Sequence, residues 1–207
     1  MVEITNITNQ KNKNKFNLFV DGEFYAGINK ETAITNNFFV GKKLDKQELD
    51  DILVQSESKQ AFAKASDYLQ TRLYSKFEIR TKLTAKGFSK PAIRLAINKL
   101  EDYGYVNDSE FAAAFVSSNA KLSKKMLENK LAAKGISKDI IKSALDSISS
   151  EDQYQTCLAC AQKYIKNKKV DEVREKLYAH LARKGFEYSQ IKSAIKQIYN
   201  IDLDFGE

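Results

Sequence analysis

The chain has little of what usually carries chemistry or covalent bracing. Among 207 residues there are two cysteines, one histidine, one proline, eight glycines and no tryptophan. Two thiols cannot build a disulfide framework. One proline and eight glycines exclude a collagen-like or low-complexity chain. The longest wholly apolar run, Phe111 to Val116, is far too short to span a bilayer. Met1-Val2-Glu3-Ile4 has no basic stretch leading into an apolar one, so no signal peptide is read there and a cytoplasmic protein is expected. No glycine-rich phosphate loop, nucleophile elbow or HExxH is present, and neither an enzyme nor a cofactor is expected.

What is present is positive charge, unevenly spread. The formal net charge is +7. Residues 1–60 carry a net −1, and residues 61–207 carry +8. A basic surface raises affinity for polyanions and acidic protein faces.

Periodicity gives the architecture. Lys82-Leu83-Thr84-Ala85-Lys86-Gly87-Phe88-Ser89, Lys130-Leu131-Ala132-Ala133-Lys134-Gly135-Ile136-Ser137 and His180-Leu181-Ala182-Arg183-Lys184-Gly185-Phe186-Glu187 align on a Lys-Gly step, with the glycines 48 and 50 residues apart. Six residues after each glycine stand Ile93, Ile141 and Ile191; nine after stand Ala96, Ala144 and Ala194; ten after stand Ile97, Leu145 and Ile195. These offsets lay one apolar stripe on a helix that starts just past each glycine. Leucine at Gly−4 anchors the preceding helix, and glycine supplies the left-handed residue that ends it. Ser89 and Ser137 cap the next helix, with Pro91 in its first turn.

Each unit also has an upstream helix. In unit one its stripe is Phe62, Ala65, Leu69 and Leu73, followed by a capping box, Ser75-Lys76-Phe77-Glu78, that opens a helix containing Ile79 and Leu83. Unit two starts near Asn107–Glu110, and Ser123 opens its second helix. Unit three starts at Ser150-Glu151-Asp152-Gln153, also read as a capping box. Its stripe is Tyr154, Cys157, Leu158, Ala161 and Ile165, then Val173, Leu177 and Leu181. Units of this kind are expected to stack into an elongated, curved array because none buries its face alone.

Ahead of them, Phe16–Val20 and Glu23–Ile28 flank Asp21-Gly22, a two-residue hairpin signal, and Val2–Ile7 adds a third strand. With that turn, Phe16, Leu18, Val20 and Tyr25 share one face, and Phe19, Phe24, Ala26 and Ile28 share the other. One side is expected to be covered by helices, with short helices over 30–39 and 45–54. The fold class is therefore mainly α: three tandem three-helix repeats behind a small sheet. The expected divisions are an N-terminal region 1–58, repeats at 59–106, 107–149 and 150–201, and an acidic tail at 202–207.

Candidate reactive groups reduce to packing. His180 occupies a position that takes lysine in the other two repeats, so it reads as a surface slot. Cys157 and Cys160 form a lone CxxC, with Cys157 on an apolar stripe, so it reads as core. Asp50-Asp51 and Asp108/Glu110 read as acids at helix starts or exposed turns. Lys86, Lys134 and Lys184, with Arg183, sit at helix C-termini, where a cation is favoured without a ligand. Arg72, Arg80 and Arg94 in repeat one and Lys124, Lys125 and Lys142 in repeat two have no such explanation, so these six are the expected partner surface.

The segment Tyr68-Leu69-x-x-Arg72-x-x-Ser75-x-x-Glu78-Ile79-x-x-Lys82-Leu83-x-x-Lys86-Gly87-Phe88 resembles the first repeat of the RecX family, regulators of the RecA recombinase. Gly104-Tyr105-Val106-Asn107-Asp108-Ser109-Glu110-Phe111-Ala112 is similar to that family's step into its second repeat, and Arg183-Lys184-Gly185-Phe186-Glu187-Tyr188 to its third-repeat signature. The resemblance covers about residues 60–200. It departs at Asn119-Ala120-Lys121-Leu122-Ser123, where the family often has a basic, glycine-containing loop. The hairpin looks like an extension found on part of the family. The resemblance implies a monomeric protein that binds RecA and RecA–single-stranded DNA filaments, makes a weak direct contact with DNA, and inhibits ATP hydrolysis, strand exchange and coprotease activity. The competing reading is a helical-repeat nucleic-acid binder that acts without RecA.

Overall fold

The computed structural model describes residues 1–11, 14–166 and 174–199. The 202–207 tail and Val173 lie outside them. The described residues divide into two compact units, Met1–Val106 and Asn107–Glu207.

The first unit opens with strands β1 (Val2–Asn9), β2 (Lys15–Val20) and β3 (Glu23–Asn29), helix α1 (Lys30–Thr35), strand β4 (Lys43–Leu44) and helix α2 (Lys46–Leu69). The sheet order is β3-β2-β1-β4 with antiparallel neighbours. At the β2–β3 turn Asp21 and Gly22 both have positive φ, 51° and 88°, as a two-residue hairpin of right-handed twist requires. Asp21 Oδ1 also accepts from the Glu3 N–H at 2.9 Å, tying the turn to β1.

The faces differ from the simple alternation. Leu18 pairs with Ala26 but Phe19 pairs with Phe24, so Tyr25 is an extra residue in β3. Such a bulge shifts the residues beyond it to the opposite face. Ile28 is therefore buried beside Leu18 and Val20, with Ala26 packed against the same cluster. Phe19 and Phe24 meet edge to face at 5.9 Å. The core side is covered by Ala33 of α1, by Phe38, and by Leu49, Ile52 and Leu53 of α2. The helix expected over 30–39 stops at Thr35, and Asn37, at φ 49°, turns the chain into the residues before β4.

The expected helix over 45–54 and the first helix of repeat one are a single 24-residue helix, α2, so the 58/59 division falls inside it. Its first half packs Leu49, Ile52 and Leu53 on the sheet; its second half packs Ala61, Phe62, Ala65, Tyr68 and Leu69 into repeat one. At about 100° per residue these two stripes lie on nearly opposite sides of the helix. A periodicity reading sees one stripe fade and another begin, and breaks the helix between them. Asp45 caps α2 through the Gln47 and Glu48 amides. Asp50, expected to be an exposed acid, instead accepts from the Tyr25 hydroxyl at 2.6 Å.

Repeat one is completed by α3 (Lys76–Ala85) and α4 (Lys90–Asp102). Repeat two is α5 (Asp108–Ser118), α6 (Lys124–Ala133) and α7 (Lys138–Asp146); repeat three is α8 (Ser150–Ile165), α9 (Arg174–Arg183) and α10 (Tyr188–Tyr199). Contrary to the expectation that the units cannot bury their faces alone, each has its own buried cluster. Leu83, Leu131 and Leu181 are wholly buried. Each of their carbonyls accepts from the amide of the residue after the glycine, at 3.2–3.3 Å (Phe88, Ile136 and Phe186), and the glycine amide bonds the carbonyl three residues back. Gly87, Gly135 and Gly185 have φ of 85°, 74° and 78°. The same double closure ends α3, α6 and α9.

Two local expectations shift. α2 ends at Leu69, leaving Leu73 52% exposed, and Tyr74 takes the buried place instead. The box opening α8 is Ser149 with Asp152, one residue earlier than read. This frees Gln153, buried, to accept from the Lys124 amide at 2.8 Å. Across the same seam Ser123 Oγ donates to the Lys184 carbonyl at 2.5 Å.

The glycines are therefore unequal. A Cβ at Gly87 meets no atom within 4 Å, whereas one at Gly185 lies 2.9 Å from Lys125 Cβ and 3.1 Å from Ser123 Oγ. Gly87→Ala is expected to cost about 1–2 kcal/mol of left-handed strain, and Gly185→Ala more. Hydrogen exchange in α3 and α9 reads the two units separately; equal losses would show that the repeat two–three seam yields. The Asp50 carboxylate and burial also push the Tyr25 phenol up to about 12, from an ordinary value near 10. Between those values the unfolded chain has lost a proton that the folded chain keeps, so stability falls as pH rises through that window. Alkaline melts of Tyr25→Phe are expected to show a shallower fall from about pH 10 to 12.

Candidate functional site

The six expected partner residues lie in both units. Arg72 follows α2. Its guanidinium carbon stands 3.6 Å from the Tyr74 ring centroid, and its two terminal nitrogens fork onto Glu78 at 3.3 and 3.4 Å. It also donates to the Leu73 carbonyl at 2.8 Å. Glu78 completes the capping box by accepting from the Ser75 N–H, while Ser75 Oγ accepts from the Glu78 N–H. Arg72 is thus a brace on the start of α3. Beside it the Lys82 ammonium lies 4.8 Å from the Tyr68 ring and 5.3 Å from that of Tyr74. A hydrogen bond from Thr71, then the charges of Arg72 and Lys82, pull the Tyr74 phenol below its ordinary value.

Arg80 on α3 and Arg94 on α4 are exposed. On another part of the unit Phe62, Tyr103 and Tyr105 touch one another at 5.8–6.4 Å between centroids, with Lys99 over Phe62 and Tyr103. Tyr103 and Tyr105 are each more than half exposed.

In the second unit Lys124 and Lys125 open α6. Lys124 is half-buried, its amide held by Gln153, and Lys125 pairs with Glu128 at 2.8 Å. Lys142 is exposed on α7. Lys134, at the end of α6, lies over Phe111 and Phe115. Three of the six belong to each unit, and Arg72 and Lys125 are already engaged by carboxylates.

The second unit gathers a different set. Lys121, Lys163 and Lys184 line a cleft of about 890 Å³ together with Cys160, Tyr164 and His180. His180, expected on the open surface, is half-buried: its ring stacks on Tyr164 at 4.4 Å between centroids, and Nε2 stands 3.9 Å from Cys160 Sγ. Cys157 is wholly buried, as its stripe implies, and burial pushes its thiol up to about 12; burial raises Cys160 as well. Neither is a thiolate at neutral pH. Among the described residues no three His, Cys, Asp or Glu converge as metal ligands. The sequence does signal this cleft, but only across repeats. Tyr68 and Tyr164 hold matching places against the Gly−5 residues Lys82 and His180, and that match becomes visible once the first helices are aligned on Ala61 and Cys157.

Tandem three-helix units closed by left-handed glycines, behind a four-stranded sheet and with cations on exposed helix faces, define a helical-repeat binding protein. Four family models match in chain order. They are the regulatory protein RecX N-terminal domain over residues 2–45 and the RecX first, second and third three-helix domains over 61–100, 107–145 and 151–195. Regulatory protein RecX of Bacillus subtilis (strain 168) is 37% identical, with 97% of this chain and 79% of that one covered. Regulatory protein RecX of Clostridioides difficile (strain 630) is 31% identical, over 96% and 97%. The crystal structure of RecX from Lactobacillus salivarius shares the fold at TM-score 0.63 and 24% identity, covering 70% of this chain and 98% of that one; a further regulatory protein RecX crystal structure does so at 0.67 and 23%, over 95% and 100%. The chain belongs to the RecX family of regulatory proteins. No helix among the described residues is long and apolar enough to cross a membrane.

Arg72→Ala is expected to lower the stability of the first unit by about 1–2 kcal/mol through loss of the Glu78 fork and the Tyr74 contact. Arg80→Ala is expected to stay within about 0.5 kcal/mol. Thermal melts of the two variants side by side check this, and equal midpoints would remove the bracing role.

Proposed function

We propose that this chain regulates RecA, chiefly as an inhibitor, by binding RecA and RecA–single-stranded DNA filaments as a cytoplasmic monomer. The observation that carries the reading is the ordered match to all four RecX domains, one after another along the chain. The exposed cations Arg80, Arg94 and Lys142 support it: they face solvent on helices whose other faces are already packed. Long-range attraction to a polyanionic filament raises the encounter rate, and Arg adds forked recognition of phosphate or carboxylate. Arg72 contributes indirectly, by holding the start of α3, the helix that presents Arg80.

Titrating the protein into preformed RecA–single-stranded DNA filaments, while following ATP hydrolysis and strand exchange, tests the reading. Inhibition at sub-stoichiometric amounts, not competed away by naked DNA, is expected. No effect at stoichiometric amounts would overturn it. Affinity for naked DNA equal to that for filaments, falling steeply with salt, would favour the nucleic-acid binder that acts without RecA. Arg80→Glu combined with Arg94→Glu is expected to weaken filament binding about tenfold or more with helicity unchanged.

A further inference from the structure

The cleft lined by Lys121, Lys163 and Lys184 is a concentration of charge that neither the fold nor the filament reading uses. Eight other lysines among the described residues are answered from within. Lys43, Lys64, Lys76 and Lys125 pair with carboxylates, and Lys42, Lys82, Lys99 and Lys134 lie over aromatic rings. Among the described residues no Asp or Glu lines the cleft, and all three of its lysines are exposed. Three like charges on one concave wall raise the local affinity for an anion.

The wall is also built. Thr156 Oγ1 donates to the Asp152 carbonyl of its own helix at 2.8 Å and lies 3.3 Å from the Ala120 carbonyl, which brings the backbone beside Lys121 against α8. The Lys184 carbonyl accepts from Ser123 Oγ, which caps α6. Lys163 projects from α8 one residue before Tyr164. The stacked Tyr164–His180 pair forms another part of the wall, beside Gln155, Ala159 and Cys160. In repeat one the same two positions hold Tyr68 and Lys82, whose ammonium covers the ring. Repeat three replaces that cation with a flat imidazole and leaves the positive charge to the rim.

We infer that this cleft binds a free nucleoside polyphosphate. The three ammonium groups match the three to four negative charges of a triphosphate, and the stacked rings give a flat surface for the base. A volume near 890 Å³ is that of a single small-molecule site, not of a groove that tracks a strand. The site is independent of the RecA reading, and its test contains no RecA.

The experiment measures ATP, inorganic tripolyphosphate and a short oligothymidylate binding to the full chain by calorimetry. ATP is expected to bind, and Lys163→Glu with Lys184→Glu to weaken it at least about tenfold while the helical signal is kept. Tyr164→Leu is expected to weaken ATP several-fold and leave tripolyphosphate unchanged, which separates the base platform from the phosphate rim. Saturating ATP is also expected to slow alkylation of Cys160, with buried Cys157 as the internal control. ATP affinity unmoved by the lysine reversals, no binding at millimolar ATP, or displacement of ATP by oligothymidylate at equal concentration per nucleotide would each overturn the assignment.

Discussion

Each three-helix unit depends on one closure. A fully buried leucine offers its carbonyl to the amide just past a left-handed glycine, and the side chain carried by that amide folds back over the leucine. The closure satisfies backbone groups that a helix end would otherwise expose, and it sets the angle at which the next helix leaves. Because the leucine is also the centre of each unit's apolar cluster, helix termination and core formation are a single event in Leu83, Leu131 and Leu181. A fourth turn of the same kind, at Gly104 with φ 70°, follows α4, and there the Tyr105 amide bonds the Leu100 carbonyl. The chain thus uses one backbone device both inside its units and at the step out of the first.

The regular part of this design was legible in the sequence because glycine spacing and stripe offsets are local. Residues 76–102 and 108–146 follow it closely, down to the serine caps. Where the structure departs from that pattern, a non-local contact changes the phase. The extra residue at Tyr25 moves Ala26 and Ile28 across the sheet. α2 carries two stripes on opposite sides because it serves two cores. The α8 cap slides to Ser149 because Gln153 is needed against α6. His180 looked like a surface slot from its repeat partners, but its ring found Tyr164 one helix away. Side-chain chemistry at a position does not transfer between repeats as the backbone does.

The same limit applies to the cations. Sequence position separated lysines at helix ends from the rest, but not those lying over rings from those facing solvent. Tyr68, Tyr74, Phe111 and Phe115 each take up a cation through the face of the ring. Such contacts stabilise the fold modestly and reduce what remains for a partner. Among the others, Arg80, Arg94 and Lys142 stay exposed on α3, α4 and α7, and Lys121, Lys163 and Lys184 line the cleft between repeats two and three.

The unbroken α2 has a consequence for how such a chain can vary. Its two buried stripes are fixed in phase by the helix itself, so inserting or deleting one residue between Leu53 and Ala61 would turn one core about 100° against the other and move it about 1.5 Å. Only changes near seven or eleven residues come back within about 20° of the original facing. The stretch between them is mostly polar; Glu57 accepts from the Ser89 cap of α4 and Ser58 is buried, while Gln55 and Lys59 are exposed and would tolerate substitution. Its length is under far tighter constraint than its composition: it works as a gear tooth count, not as a linker.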